Sequence, residues 1–415
     1  MRLLIITQYF WPEQFIINDV VDKIKKKNDV TVFTGKPNYP GGSFFKGYNF
    51  FNNTYDTYKG TQIIRCPVIP RFKSSSLNLI VNYFSFMFFG TIYLVLLIFK
   101  KFDYIFVYQT SPIFSVIPAI IFSKIKKIPL IIWVQDLWPE TLTGTYHVKY
   151  KFIYNIAKFF CKKIYERADI IFSQSNSIKE NLKKKFKTKK IFYLPNIIQN
   201  SIKPITNSRF RKEMKLDKSK NIMFAGNFGD AQNLEILIKL AVKFKKNKNL
   251  NFLLVGTGSK RNYLEEKINK LKLKNIILLG HQSVKKMSLY FSLADFMVIT
   301  LKNNKIFWIT VPNKLIAYMA AGKPIISFAK GETSNIVEKA KCGYFINEYS
   351  IKNITTVLKK AIKSKESKIK YFSLNSRKYY ERNYNQNLFY KKFINGIKIY
   401  ENTEANLFRY TKRYI

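Results

Sequence analysis

Three turns in the second half of the chain carry residues suited to phosphate binding. They are Gly226-Asn227-Phe228-Gly229, Gly256-Thr257-Gly258 and Val311-Pro312-Asn313-Lys314-Leu315. Glycine lets a backbone approach a phosphate closely, and the start of a helix presents N–H groups at its positive end. Lys314 adds a full positive charge to one of these turns. Each turn alone is also compatible with an ordinary connection in an α/β domain, so the predicted anion site depends on their convergence at one sheet edge.

Two carboxylates in the first half are candidates for orienting a substrate. Asp136 closely follows an apolar run that ends at Val134, and Glu13 lies in the loop after the run Leu3–Ile6. Ligands of open parallel sheets bind beyond the carboxyl ends of the strands, where both side chains are expected. Asp136 is also compatible with a helix N-cap, and that alternative stays open. The long loop 35–60, rich in Gly, Pro and Asn, is likewise predicted to be functional.

The composition limits the class of partner. The chain of 415 residues has 72 Lys and Arg against 25 Asp and Glu, a formal net charge of +47. This charge favours phosphorylated ligands, anionic lipid or nucleic acid. The lysines are dispersed along the sequence, which is typical of solvated faces, so we predict no nucleic-acid partner. Two histidines and three separate cysteines offer no cluster for a metal ion and indicate a reducing compartment.

Apolar runs and amphipathic segments alternate along the chain in the manner of βαβ units. One alternation begins at Leu3–Thr7 and a second begins at Asn221–Gly226. We therefore predict an α/β protein with two doubly wound parallel-sheet domains, 1–200 and 201–380. A C-terminal helix over 381–415 is expected to pack back on the first domain.

The segment 75–99 is nearly all apolar and contains no charged residue. Its length would allow a transmembrane helix, and a buried crossover helix is a second interpretation. Basic residues border it on both sides: Arg71 and Lys73 precede it, and Lys100 and Lys101 follow. An apolar helix with basic borders is typical of a helix that lies in the interface of an anionic membrane, and we favour this third interpretation.

Three stretches together resemble the retaining GT-B glycosyltransferases of family 4. They are Trp133–Thr141 (WVQDLWPET), Ala225–Glu235 (AGNFGDAQNLE) and Val311–Ile326 (VPNKLIAYMAAGKPII). Within this family the chain most resembles the WbuB-like L-fucosaminyltransferases of bacterial O-antigen assembly, because Pro37–Pro40 and Gly331–Glu338 fit the same subgroup. The resemblance extends over nearly the whole chain in the same order.

This resemblance implies a GT-B fold, with two Rossmann-like domains and a cleft between them. The N-terminal half would bind the acceptor, with Asp136 and Glu13 orienting it, and the C-terminal half would bind a nucleotide-sugar. Lys314 would compensate charge on the leaving diphosphate. The implied donor-binding residues are Gly226, Asn227, Phe228, Gly229, Gly256, Gly258, Gly280, His281, Val311, Pro312, Asn313, Lys314 and Leu315.

The implied reaction is the retaining transfer of an N-acetylated deoxy-aminosugar from a UDP donor to a polyprenyl-diphosphate-linked saccharide. No metal and no cofactor beyond the donor are expected. The implied location is the cytoplasmic face of the plasma membrane, where the protein would be peripheral. Other enzymes of O-antigen, capsule or lipopolysaccharide assembly are further expected partners.

Three positions depart from the family pattern. A glutamate that binds the ribose hydroxyls in relatives is replaced by Ala317, and its partner glutamate is replaced by Ile309. An arginine common in the glycine turn is replaced by Asp230. Loss of a charged hydrogen bond to a ligand costs about 1.5–3 kcal/mol, so donor binding is expected to be weakened, carried by residues such as Lys302 or Lys305, or lost. An alternative function is a catalytically degenerate GT-B scaffold that binds an active transferase.

Overall fold

A computed structural model describes residues 1–72, 76–144, 151–187 and 189–413. Residue 75, the predicted start of the apolar helix, lies outside this range, as do its basic neighbour Lys73 and residues 414–415 of the predicted C-terminal helix. The chain divides into two compact units, Met1–Pro195 with Gln386–Ile415, and Asn196–Asn385.

The first unit is built on a sheet that holds eight of the described strands. They are β1 (Arg2–Ile6), β2 (Asp29–Gly35), β3 (Tyr55–Tyr58), β4 (Thr61–Cys66), β5 (Tyr104–Gln109), β6 (Leu130–Val134), β7 (Ile170–Ser173) and β8 (Lys190–Tyr193). Their order is β3-β4-β2-β1-β5-β6-β7-β8, and only the β3–β4 pair is antiparallel. Strands β5, β6 and β7 consist of buried side chains, as expected where helices cover both faces of a parallel sheet. The loop predicted over 35–60 therefore includes a short edge strand, β3.

Six helices described in this unit lie between the strands. They are α1 (Ile16–Ile24), α2 (Ser76–Tyr93), α3 (Ile117–Lys126), α4 (Glu140–Gly144), α5 (Lys151–Glu166) and α6 (Asn176–Lys185). The predicted apolar helix is shorter than expected, because α2 ends at Tyr93 and a 3-10 turn follows at Leu94–Leu97. Leu94 and Leu97 are almost fully buried, whereas Val95 and Leu96 between them are exposed, so only one side of this turn packs against the core.

Helix α2 buries two polar side chains together with Phe86 and exposes an apolar outer face. Asn82 and Ser85 point inward and are buried, and both make hydrogen bonds to backbone carbonyl groups. The outer face carries apolar side chains that are each about half or more exposed, namely Leu77, Ile80, Phe84, Phe88 and Ile92. By length and composition alone, the stretch Leu77–Leu97 is apolar enough to cross a membrane, with a mean hydropathy of 1.9 and 28% of its residues buried.

The second unit has a parallel sheet with helices on both faces. Its described strands are β9 (Lys220–Ala225), β10 (Leu250–Val255), β11 (Ile276–Leu278), β12 (Phe296–Ile299), β13 (Ile325–Ser327) and β14 (Gly343–Phe345). Their order is β11-β10-β9-β12-β13-β14. Alternate residues of β9 belong to two separate hydrophobic clusters: Met223 lies in one, and Ile222 and Phe224 lie in the other. Both faces of this sheet are therefore packed.

The helices of the second unit run in sequence from α7 to α15. They are α7 (Ser208–Glu213), α8 (Glu235–Lys243), α9 (Arg261–Lys270), α10 (Met287–Ser292), α11 (Lys305–Trp308), α12 (Asn313–Ala320), α13 (Glu332–Lys339), α14 (Ile351–Ile362) and α15 (Glu366–Asn383). The last helix, α16 (Gln386–Arg413), belongs to the first unit. Its buried Phe393 packs edge-on against Phe106 of β5, with ring centroids 5.2 Å apart. Gly396 lies so close to Phe172 that a β-carbon would come within 2.6 Å of its ring.

Candidate active site

The strand order of the second sheet reverses direction at β9. From β9 the chain continues to β10 and β11 on one side, and it then crosses back to β12 on the other side. In open α/β sheets, ligands bind beyond the carboxyl ends of the strands where the order reverses in this way. The predicted turn Gly226–Gly229 leaves β9 at this point. Lys302 follows β12 on the opposite side of the reversal.

The glycine turns do converge at this edge. The N–H of Gly226 donates to Val255 O at 2.9 Å, and that of Phe228 donates to Thr257 O at 2.8 Å. A β-carbon at Gly256 would lie 1.9 Å from Gly226 O, and φ of Gly256 is +137°. Only glycine fits where two backbones approach so closely. Side-chain-free backbone is therefore exposed to a ligand at the carboxyl edge.

Lys314 reaches this edge from the first turn of α12. A β-carbon built on Gly226 would be 3.6 Å from Lys314 Nζ. The ammonium lies 4.1 Å from the centroid of the Phe224 ring and donates to Gln232 Oε1. The structure records no carboxylate within ion-pair distance of it among the described residues. Burial without a counter-charge lowers the pKa of Lys314 to about 7. An anion at this position would compensate the charge.

Asp230, unlike Lys314, is paired with side chains of opposite charge. Its carboxylate pairs with Lys302 and, at 3.6 Å, with Lys260 Nζ. The hydrogen bond from Lys302 is the main cause that lowers the pKa of Asp230. A cavity of about 260 Å³ lies beside these residues, lined also by Gly229 and Glu235. Lys302, one of the two lysines named as replacements for the missing family contacts, is therefore engaged with Asp230.

The remaining predicted donor residues fall into two groups. Val311, Leu315 and Phe228 are almost fully buried, so they build the core beneath the turns. Pro312, Asn313, Gly280 and His281 are partly or fully exposed near the same connections. Pro312 is the N-cap of α12, and Asn313 Oδ1 accepts a hydrogen bond of 2.7 Å from Asn196. The N–H of Gly256 donates to Gly280 O at 2.8 Å, and this hydrogen bond joins the loop after β10 to the loop after β11.

Tyr318 is a positioning residue that sequence reasoning did not single out. Its hydroxyl accepts from Ala225 N and donates to Ala225 O, both at 2.9 Å, and thereby fixes α12 against the end of β9. Phe224 and Gln232, the two direct neighbours of the Lys314 ammonium, were also missed. Phe224 shares its strand pattern with ordinary core residues, so the sequence carries no signal for its role. Ala317, where the family resemblance predicts a glutamate, offers no hydrogen-bond acceptor in its side chain.

The two predicted carboxylates belong to the first unit and have separate partners. Glu13 is 1% exposed, and its oxygens accept from the backbone N–H groups of Phe10, Asn38 and Tyr39 at 3.2, 2.9 and 2.8 Å. Burial outweighs these bonds and raises the pKa of Glu13 to about 7. Glu13 thus joins the loop after β1 to the loop after β2, and its oxygens are engaged by the backbone.

Asp136 lies after β6, at the carboxyl edge of the first sheet. Its Oδ2 accepts from the N–H and the hydroxyl of Ser111, at 2.9 and 2.8 Å. Burial raises the pKa of Asp136. The side chain binds a loop at the end of β5 instead of the first turn of α4, so these contacts are not those of a helix cap. Within the described parts of the chain, no three His, Cys, Asp or Glu side chains form a group that could hold a metal ion.

Residues 206–379 match the family model described as glycosyl transferases group 1. An uncharacterized glycosyltransferase of Methanocaldococcus jannaschii, MJ1059, is 27% identical over 252 residues. This match covers 57% of the present chain and 58% of the relative, so the similarity spans little more than half of either protein.

Solved structures resemble the chain over almost its whole length. Anabaena HepE in complex with UDP has a TM-score of 0.71 at 13% identity and covers 96% of this chain and 100% of its own. Sucrose-phosphate synthase of Thermosynechococcus elongatus has a TM-score of 0.74 at 14% identity, with full coverage of both chains. WaaG, a glycosyltransferase involved in lipopolysaccharide biosynthesis, has a TM-score of 0.64 at 17% identity, covering 92% and 95%.

The chain has the GT-B fold. The predicted fold class is thereby confirmed, and the family match supports the GT-B glycosyltransferase superfamily. The narrower WbuB-like assignment stays a prediction.

Proposed function

We propose that this protein is a retaining glycosyltransferase that moves a sugar from a UDP-sugar to a lipid-diphosphate-linked saccharide. The acceptor belongs, in this proposal, to the assembly of O-antigen, capsule or another surface polysaccharide, and the sugar is an N-acetylated deoxy-aminosugar. The reaction needs no metal and no cofactor beyond the donor. HepE, which shares the fold, was crystallised with UDP and with UDP-glucose, and this supports the class of donor.

The observation that carries the proposal is the uncompensated ammonium of Lys314 at the reversal point of the second sheet. The departing nucleoside diphosphate develops negative charge as the glycosidic bond breaks, and fixed positive groups at that position lower the barrier. Lys314 is held by the Phe224 ring and Gln232, so it needs little reorganisation when an anion arrives. The N–H groups at the start of α12 add their dipole to the same charge.

The outer face of α2 supports a location at a membrane surface. Five of its apolar side chains are about half or more exposed while Asn82 and Ser85 are buried, which is the reverse of the usual arrangement on a helix that faces water. Helix α5 adds exposed Phe152, Phe159 and Phe160 together with lysines on the same helix. An apolar face with lysines and a net charge of +47 suits an anionic bilayer, and we propose a peripheral position on the cytoplasmic leaflet.

Calorimetric titration with UDP tests the role of Lys314. We expect Lys314→Met to weaken UDP binding about tenfold to a hundredfold, because it removes one charged contact to phosphate. The exposed Lys339 of α13 provides the matched control, and Lys339→Met is expected to bind like wild type. Since burial lowers the pKa of Lys314 to about 7, wild-type affinity should fall as the pH rises from 7 to 9, and the Lys314→Met variant should lack this dependence.

The outcome also distinguishes the second candidate function, a degenerate scaffold. This alternative is favoured by Ala317 and by the carboxylate of Asp230, which occupies two nearby lysines. If wild type binds neither UDP nor GDP nor ADP, and does not transfer sugar from any donor in a panel of UDP-sugars, the enzyme proposal is wrong. Gain of UDP affinity in Ala317→Glu would then identify the missing ribose contact.

A further inference from the structure

Arg71 of the first unit lies in a cage of three tyrosines. Its guanidinium carbon is 4.8 Å from the ring centroid of Tyr9, 5.0 Å from that of Tyr39 and 5.4 Å from that of Tyr83. One guanidinium nitrogen donates to the Tyr9 hydroxyl. Arg71 is only 9% exposed, whereas Tyr39 and Tyr83 are half-buried, so the cage is open on the side of these two rings.

The charge in this cage has no counter-ion among the residues that the structure describes. Among these described residues, no carboxylate forms an ion pair with Arg71, and its buried Nε has no hydrogen-bond partner. Glu13, the carboxylate of the adjoining loops, is bound by three backbone N–H groups and has no ion pair with Arg71. Tyrosine rings attract a cation, but they do not neutralise it. By contrast, the nearby buried Arg65 has a carboxylate partner, Asp56, at 2.9 Å.

The position of the cage in the fold is that of a ligand site. Tyr9 follows β1, Tyr39 follows β2 and Arg71 follows β4, so the loops at the carboxyl ends of three neighbouring strands meet here. In open parallel sheets this edge binds ligands. Tyr83 comes from α2, and the next residue, Phe84, is 51% exposed on the apolar outer face of that helix.

A guanidinium offers a planar fork of donors that matches phosphate oxygens, and an anion would compensate its charge. The cage adjoins an exposed apolar helix face, so a ligand with a phosphate head and a hydrocarbon chain fits both surfaces. We propose that the Arg71 cage binds the diphosphate of the lipid-linked acceptor, with the lipid chain leaving along the outer face of α2. This inference rests on the acceptor class of the proposed function.

Binding of farnesyl diphosphate to the full chain tests this assignment. The measurement uses the Lys314→Met background, so that the anion site of the second unit does not contribute. We expect Arg71→Gln to weaken binding of farnesyl diphosphate, and of inorganic pyrophosphate, about tenfold to a hundredfold. Arg167→Gln makes the same charge change at an exposed position of the first unit and should bind like the background protein.

A purely structural role of Arg71 predicts the opposite pattern. In that case Arg71→Gln lowers the unfolding temperature and leaves diphosphate binding equal to that of Arg167→Gln, and the proposal is overturned. With a ligand-binding role, removal of an unpaired buried charge leaves the unfolding temperature unchanged or raises it. Arg71→Lys, which keeps the charge without the fork, should retain part of the affinity.

Vesicles distinguish the acceptor from a membrane headgroup. If Arg71→Gln reduces binding to phosphatidylglycerol vesicles but not to farnesyl diphosphate, the cage takes a phospholipid headgroup and the acceptor assignment is wrong. No nucleotide enters these titrations, so failure of the UDP experiment leaves their outcome intact.

Discussion

Replacement of Glu13 by glutamine tests whether this carboxyl group folds in its neutral form. Glu13 is 1% exposed, and burial raises its pKa from 4.5 to about 7. The folded protein therefore binds this proton more tightly than the unfolded chain does. Between pH 4.5 and 7 the unfolded state holds fewer protons, so the free energy of unfolding falls as the pH rises through this window. Each unit of difference in pKa corresponds to about 1.36 kcal/mol, so the free energy of unfolding falls by about 3 kcal/mol across this window.

The variant Glu13→Gln cannot ionise and should lack this dependence. Its amide NH₂ must face one of the three backbone N–H donors, and leaving that donor unpaired costs about 1–3 kcal/mol at every pH. We therefore expect the variant to be less stable than wild type at pH 4.5. At pH 7.5 the difference in the free energy of unfolding between wild type and variant should be smaller by about 3 kcal/mol, because only wild type loses stability as the pH rises from 4.5.

Urea unfolding followed by tryptophan fluorescence measures this difference. Three tryptophans lie in the first unit, at positions 11, 133 and 138, so a Trp308→Phe background restricts the signal to that unit. Glu180→Gln on the exposed surface of α6 is the control and should follow wild type at both pH values. If the difference in the free energy of unfolding between Glu13→Gln and wild type is the same at pH 4.5 and 7.5, Glu13 stays ionised in the folded protein and the reasoning is refuted.

Two other changes test the membrane surface and the glycine turns. The double variant Phe84→Ser/Phe88→Ser should bind phosphatidylglycerol vesicles at least tenfold more weakly in a flotation assay, because two large apolar side chains no longer enter the bilayer. Leu374→Ser, at an exposed position of the second unit, is the control. Equal vesicle binding by the double variant and the control would contradict the membrane proposal. Gly256→Ala should destabilise the second unit by about 1–3 kcal/mol and abolish UDP binding, because its β-carbon would lie 1.9 Å from Gly226 O. If calorimetry finds the same affinity for UDP as in wild type, the turn is not part of the binding site.

The sequence by itself determined the class of fold and predicted which turns meet at the carboxyl edge of the second sheet. Alternating apolar and amphipathic segments specify a parallel α/β architecture, because strands covered on both faces must be continuously apolar. Gly226, Gly256 and Lys314 were identifiable because each stands directly after a strand or at the start of a helix. Parallel strands bring such positions to a common edge whatever the details of packing.

Only the tertiary structure decided which charges in these loops are compensated. Asp230 and Lys302 are 72 residues apart yet form a pair, whereas Lys314 and Arg71 have aromatic rings as neighbours. Glu13 was predicted from the sequence to orient a substrate, but its carboxyl group accepts hydrogen bonds from backbone N–H groups of a loop about 25 residues away. The residue type alone determines the charge of a side chain, whereas its counter-ion depends on which loops the sheet topology brings together.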